Sequence, residues 1–244
     1  MENAQLVGLS RQVVLRRQLD MIANNIANVN TNGFKSQALL FEKHELPISR
    51  VNAFQRPDRP VAFVLDDTNI YDFEPGPMIQ TGNPLDVAIN GAGWFAIDTP
   101  QGERFTRDGS FNLNSQGRLV THHGYPVLTD GGPVDFAPTE TNITIARDGT
   151  ISSSAGVRGR LRVNEFANKG DVTAAGDNLY KGTNPQASTT SAITQGSLER
   201  SNVESVKELS AMISVTRTYQ SIANWMKDAD DLRRNAIDKL GTVG

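Results

Sequence analysis

The apolar positions fall into three regimes along the chain. Near the N-terminus Leu15, Leu19, Ile22, Ile26 and Val29 recur at spacings of 4, 3, 4 and 3. This is the seam of an amphipathic helix of the coiled-coil kind. Leu6, Leu9 and Val13 keep the same rhythm but slip out of phase before Leu15. The pattern predicts one helix of about 25 residues with a local change of face. Asn32-Gly33 then supplies a stop signal past the helix end.

The C-terminal regime is longer. Met212, Val215, Tyr219, Ile222, Met226, Ala229, Ala236 and Leu240 occupy eight of nine consecutive 3-4 positions, and only Arg233 breaks the series. Balanced Lys, Arg, Asp and Glu surround them, as on an exposed helix flank. The pattern predicts a helix from about Val203 to Leu240, with Ser201 or Asn202 as N-cap and Glu204 and Glu208 in its first turns.

Between the ends helical periodicity disappears. Residues 36–80 contain Pro47, Pro57, Pro60, Pro75 and Pro77, which predict an extended, irregular connection. Residues 81–199 carry short β-rich runs punctuated by glycine, among them "LDVAI", "WFAID" and "GRLRVNEF". "TRDGSF" at 106–111 and "ARDGTI" at 146–151 each place Asp-Gly between β-forming residues, a tight hairpin turn signal. Neither carries the further acidic ligands of a calcium loop. The expected fold class is α+β: N- and C-terminal helices (1–35 and 200–244) paired in a coiled-coil-like domain, a connection at 36–80, and an inserted all-β, antiparallel, hairpin-rich domain at 81–199 that ends in a polar return segment.

Composition narrows the function. With 244 residues there is room for one or two domains with real cores. The net charge is −3, and the densest basic group, Arg11, Arg16 and Arg17, reads as a solvated helix face, so nucleic acid is not an expected partner. No stretch approaches ~20 apolar residues, so direct membrane insertion is not expected. The sequence has no cysteine, which excludes disulfides, thiol catalysis and zinc-thiolate sites. The opening "MENAQLVGLSRQVVLRRQLD" lacks a basic region followed by an apolar core, so export by a cleavable signal peptide is not expected either.

Candidate chemistry is sparse. His122 and His123 are adjacent; on a strand they would point to opposite faces and not chelate together. No G-x-S-x-G elbow occurs, "NGAGW" at 90–94 is not a phosphate-binding glycine loop, and Asp66-Asp67 and Asp230-Asp231 have no catalytic partner in view. No catalytic, cofactor or metal residues are assigned. In "NGAGWFAI" the glycines permit a bend at a strand start, with one of Trp94 and Phe95 in the core and the other at a contact surface or partly buried.

Three segments carry a resemblance. "LDMIANNIANVNTNGFK" (19–35), "NPLDVAINGAGWFAIDTPQGERFTRDGSFNLNSQGRLVTHHGYPVL" (83–128) and "SNVESVKELSAMISVTRTYQSIANWMKDADDLRRNAI" (201–237) resemble, in order, the N-terminal signature, β-domain segment and C-terminal helix of bacterial flagellar axial proteins, the rod and hook family. Length and the opening "ENAQLVGLSRQ" are most similar to the proximal-rod members. Distal-rod members are the nearest alternative; their threonine-glycine-methionine pattern is replaced here by "LSRQVVLRRQ". The resemblance implies a structural, non-enzymatic subunit of the drive shaft that transmits motor torque, with an axial helical domain and a β domain outside it. It also implies export through the flagellar type III apparatus, and partnership with itself and with other proximal- and distal-rod subunits. Two alternatives from other classes are a secreted β-domain adhesin or binding module and an enzyme acting on cell-wall polymer.

The residues suggest how such a subunit would assemble. Asn24, Asn25, Asn28, Asn30 and Asn32 thread the apolar seam of the first helix, and asparagine lowers helicity by roughly 0.5–1 kcal/mol per residue relative to alanine. The segment is therefore expected to be marginal alone and to gain order by packing. The expected interface comprises Leu15, Leu19, Ile22, Asn24, Asn25, Ile26, Asn28 and Val29 with Met212, Val215, Tyr219, Ile222, Met226 and Leu240. Asn24 and Asn28, beside the seam, would hydrogen-bond across protomers and fix register.

Overall fold

The computed structural model describes residues 2–45 and 62–241, which pack as two compact units. The first unit comprises α1 (Glu2–Ala27), α2 (Ser205–Gly241) and an antiparallel ladder of β1 (Gln37–Glu45) with β2 (Ala62–Tyr71). The second comprises residues 28–36 and 73–203 and holds the other strands. The expected mixture of two terminal helices in contact and a β-rich middle is present.

In the first unit the helices run antiparallel. Asn25 of α1 meets Glu208 of α2, while near the other end a Cβ at Gly8 would stand 3.3 Å from Met226 and Trp225. The 3-4 seams explain this pairing: each is an apolar stripe that water disfavours, and burying one against the other stabilises both helices. The ladder of β1 and β2 lies against α1. It is continuous except for a bulge, where Leu40 faces Thr68 but Phe41 faces Asp66.

This ladder corrects the expectation of an irregular connection over 36–80. "QALLFEKHE" and "AFVLDDTNIY" have enough β-branched and aromatic residues to pair. The prolines do not interrupt them: Pro75 and Pro77 follow β2, and Pro47, Pro57 and Pro60 lie outside the described residues. Both helix boundaries also differ from the reading. α1 ends at Ala27, and a turn in which Thr31 N donates to Asn28 O replaces its expected last residues. α2 starts at Ser205, its first helical bond running from Glu208 N to Glu204 O, so neither Ser201 nor Asn202 caps it.

The second unit is built on a six-stranded antiparallel sheet. Its spatial order is Val172–Gly176, Leu179–Gly182, Gly102–Thr106, Trp94–Thr99, Val163–Glu165, Gln186–Ala187. Short ladders extend it, and the core gathers Val87, Ile89, Phe95, Ile97, Phe111 and Leu119 with residues of the later hairpins. Strand Trp94–Thr99 is covered on both faces. Trp94 and Phe95 are therefore both buried, Trp94 against Phe73 and Tyr180 and Phe95 edge-on to Phe111, and neither is a surface aromatic.

The two Arg-Asp-Gly copies diverge. At 146–151 the chain makes the expected hairpin: Thr144–Ile145 pairs with Thr150–Ser153, and Gly149 takes φ of 89°, which an L side chain resists. At 106–111 it does not. Arg107 is buried, Asp108 accepts from Ser110 N and Oγ, and Gly109 O accepts from Val87 N. This copy is a crossing between sheets rather than a reversal, because its arginine is held from elsewhere. His122 and His123 sit exposed in the turn between Thr121 and Tyr125, not on a strand, with ring centres 5.9 Å apart.

Candidate assembly interface

The helix pair collects most of the side chains expected at the interface. Leu15, Ile22 and Val215 are buried together, and Leu19, Ile26, Met212, Tyr219 and Ile222 pack against them with Met21 and Ala211. Met226 is half-buried beside Gly8. Val29 is also half-buried, but it lies in the turn after α1 and outside this cluster. Leu240 belongs to the last turn of α2, and its side chain lies outside the described part.

The asparagines separate into different environments. Asn25 is fully buried: its amide donates to Gln37 O and Glu208 Oε1, both at 2.9 Å, and its oxygen accepts from Gln37 N at 3.0 Å. It ties α1 to β1 and α2 within one chain. Asn24 is exposed on α1, and Asn28 lies in the turn, where its Oδ1 accepts from the Thr31 hydroxyl.

A second apolar surface accompanies the seam. Leu6, Leu9 and Val13 on α1 are each about half exposed, and on α2 Val206 is 75% exposed, with Leu209 and Ile213 about half exposed. At 100° per residue, each triplet forms a stripe roughly 140° around its helix from the seam. Each helix thus has one face spent on its partner and another that remains wet. Trp225, Leu232 and Ile237 add further exposed apolar area on α2. The sequence signal for the first stripe was the slipped rhythm of Leu6, Leu9 and Val13. The second was hidden because the stronger seam of α2 overlaps it.

A feature that pattern reading missed lies in the β unit. Lys35 is 0% exposed, and its Nζ donates to Glu199 Oε1 at 2.6 Å and to Glu74 O at 2.8 Å. Glu199 Oε1 also accepts from Gly76 N, and its Oε2 pairs with Arg107 Nη1 at 3.2 Å. Arg107 further donates to Gly91 O at 2.7 Å and lies over the Trp94 ring. Burial lowers its guanidinium below its ordinary pKa, opposed by the Glu199 charge. Removing Glu199 would strand two buried cations, which costs about 3–5 kcal/mol, whereas removing Lys35 or Arg107 leaves Glu199 paired with the other cation. Around this cluster residues 33–36 and 199–202 run side by side. Gly33 N donates to Glu199 O at 2.7 Å, Asn202 N to Phe34 O at 3.3 Å, and Ser36 N to Asn202 Oδ1 at 2.7 Å. Gly33 has φ of 66°, and a Cβ there would collide with the Arg107 backbone. This contact, not a helix stop, is what the Asn32-Gly33 pair serves. No local motif betrays Lys35, Arg107 and Glu199, since they meet across distant parts of the chain.

The described residues thus present two helices with spare apolar faces and a β unit consolidated by buried ion pairs. Among the described residues no helix is long and apolar enough to cross a membrane. Three family profiles match the chain: "Flagella basal body rod protein" over residues 6–35, "Flagellar hook protein FlgE/F/G D1 domain" over 88–153, and "Flagellar basal body rod FlgEFG protein C-terminal" over 194–239. The flagellar basal-body rod protein FlgF of Caulobacter vibrioides is 42% identical over the whole of both chains. FlgF of Rhizobium meliloti is 33% identical over 99% of each chain. The distal alternative is represented by FlgG of Buchnera aphidicola (subsp. Acyrthosiphon pisum), 32% identical over 92% of this chain and 94% of its own. The chain belongs to the flagellar basal-body rod proteins, of the FlgF type. Its family is one of structural proteins of the flagellar basal body rather than of enzymes.

Proposed function

We propose that the paired helices form a coiled-coil-like axial domain through which the chain joins the rod, and that the shaft so built transmits motor torque. The observation that carries this reading is the second apolar stripe on each helix. Leu6, Leu9 and Val13 offer one face, and Val206, Leu209 and Ile213 a different one. Two unlike faces suit heterologous contacts with the next subunit, which do not close on themselves and so grow a helical shaft. Covering each half-exposed side chain would contribute on the order of 1 kcal/mol. The neighbours are other rod subunits, of this kind and of related kinds. The chain reaches them through the flagellar type III export apparatus, as an unfolded polypeptide. Helices that are marginal alone fit that route, because they order where they find a partner.

Charge placed on the stripes tests this. Leu9→Glu and Leu209→Glu should each leave the purified protein with an unchanged circular dichroism spectrum. In cells lacking the native gene they should abolish swimming and truncate the basal body seen by electron microscopy. Full-length rods with both variants would overturn the reading.

A further inference from the structure

We propose that the buried Lys35–Glu199–Arg107 cluster is a clamp that docks the root of α1 beside the root of α2 before assembly, so that the helices meet as tethered neighbours. The inference rests on the reading that the helix pair is the assembling element, and it adds what prepares that element.

The root of α2 is fixed by ordinary β pairing: Ser197–Glu199 forms a ladder with Met78–Gln80. The root of α1 has no strand of its own. Residues 33–36 are held by the Lys35 ammonium on Glu199, by the backbone bonds of Gly33 and Phe34 to Glu199 and Asn202, and by the Asn202 side chain on Ser36 N. Asn178 Nδ2 adds a bond to Asn32 O at 2.8 Å. With these contacts made, α1 is tethered to the β unit through the few residues after Ala27. Without them the tether would run through residues 28–37, cross the β1–β2 ladder from Gln37 to Tyr71, and rejoin that unit only at Phe73. Loop-closure probability falls as roughly the three-halves power of length, so releasing the root would lower the effective concentration of α1 at α2 about fourfold.

The chemistry suits a permanent clamp rather than a switch. Lys35 and Glu199 are both fully buried, and each has more than one partner. Opening would break the Lys35 ion pair together with the backbone bonds of Gly33 and Phe34, so the closed state is preferred. A subunit whose helices are loose thus keeps their starting points together, and ordering at the growing end begins from a short loop.

The absence of native cysteine permits a direct measurement. Gly8→Cys with Met226→Cys places two thiols where α1 and α2 touch. In glutathione buffers the monomer's ratio of intrachain disulfide to mixed disulfide reports the effective concentration of the pair. In a Trp225→Phe background, adding Lys35→Met should lower it about fourfold while Trp94 fluorescence stays that of a folded β unit. Asn202→Ala, which leaves the buried charges intact, should lower it severalfold and serves if the Lys35 variant does not fold. An unchanged ratio in a variant whose β unit is folded would overturn the clamp. Because the readout uses dilute monomer, it is independent of whether Leu9 and Leu209 contact neighbouring subunits.

Discussion

Asn24, Asn25 and Asn28 show how one residue type acquires different work from its position. Asn25 is enclosed and makes three hydrogen bonds, two of them with Gln37, the first residue of β1. Replacing it with alanine would remove the bonds it makes with Gln37 N and O at a partly buried place, a loss of about 1–3 kcal/mol. Asn24 is exposed, and Asn28 belongs to the turn beyond the helix. Asn25→Ala should therefore weaken the isolated subunit, seen as earlier loss of the 222 nm signal on heating. The double variant Asn24→Ala, Asn28→Ala should leave that melting nearly unchanged and instead impair rod assembly, as loss of a register contact would. Normal assembly with the double variant would remove any register role. The Glu165 carboxylate illustrates a purely local duty: the Ser188 hydroxyl, then those of Ser191 and Thr190, hold it below the usual carboxylate range and fasten the 188–191 loop to its strand.

On each helix one face is already packed and another is still available. The seam is spent inside the chain, whereas the stripe is not. Ile22→Ala should destabilise the helical unit by about 2–4 kcal/mol, because it leaves a cavity between α1 and α2. Leu9→Ala should change the monomer's stability by less than about 0.5 kcal/mol, as for an ordinary surface site. Urea titrations followed by circular dichroism distinguish the two, and equal losses would mean the stripe is packed in the free chain. The seams were legible in the sequence because a helix repeats its buried face every few residues, and eight of the fourteen expected interface residues meet in one cluster. The β1–β2 ladder was not, because prolines outside the strands dominated the reading of 36–80. The first Arg-Asp-Gly copy was misread for a related reason. Local turn chemistry favours a hairpin there, yet Arg107 is drawn into Glu199 and two backbone carbonyls from distant strands. Contacts of that kind leave no periodic trace.

At the scale of the whole molecule the two units differ in how much holds them together. The β unit has a core of thirteen buried apolar side chains and the buried ion pairs of Lys35, Arg107 and Glu199. Among the described residues, the cluster between the helices buries three, with seven more partly covered. Helix stability in proteins comes chiefly from such packing, so α1 and α2 should lie near their own midpoint when the β unit is far from it. The chain carries two tryptophans, one in each unit, which makes the difference measurable. In Trp225→Phe the fluorescence of buried Trp94 reports the β unit alone, while the signal at 222 nm follows mainly the helices. Heating should give two separate transitions, with the helical signal lost first and over a broad range, and Trp94 released later in a sharp step. Limited proteolysis at low temperature should cut first within α1 and the distal part of α2 and leave a resistant unit that contains residues 28–36 and 73–203. The dilute protein should remain monomeric throughout, since exposed stripes of this size act only when a growing end presents several neighbours together. A single coincident transition, with the helices as resistant as the β unit, would mean that the terminal pair is already firm in the free subunit.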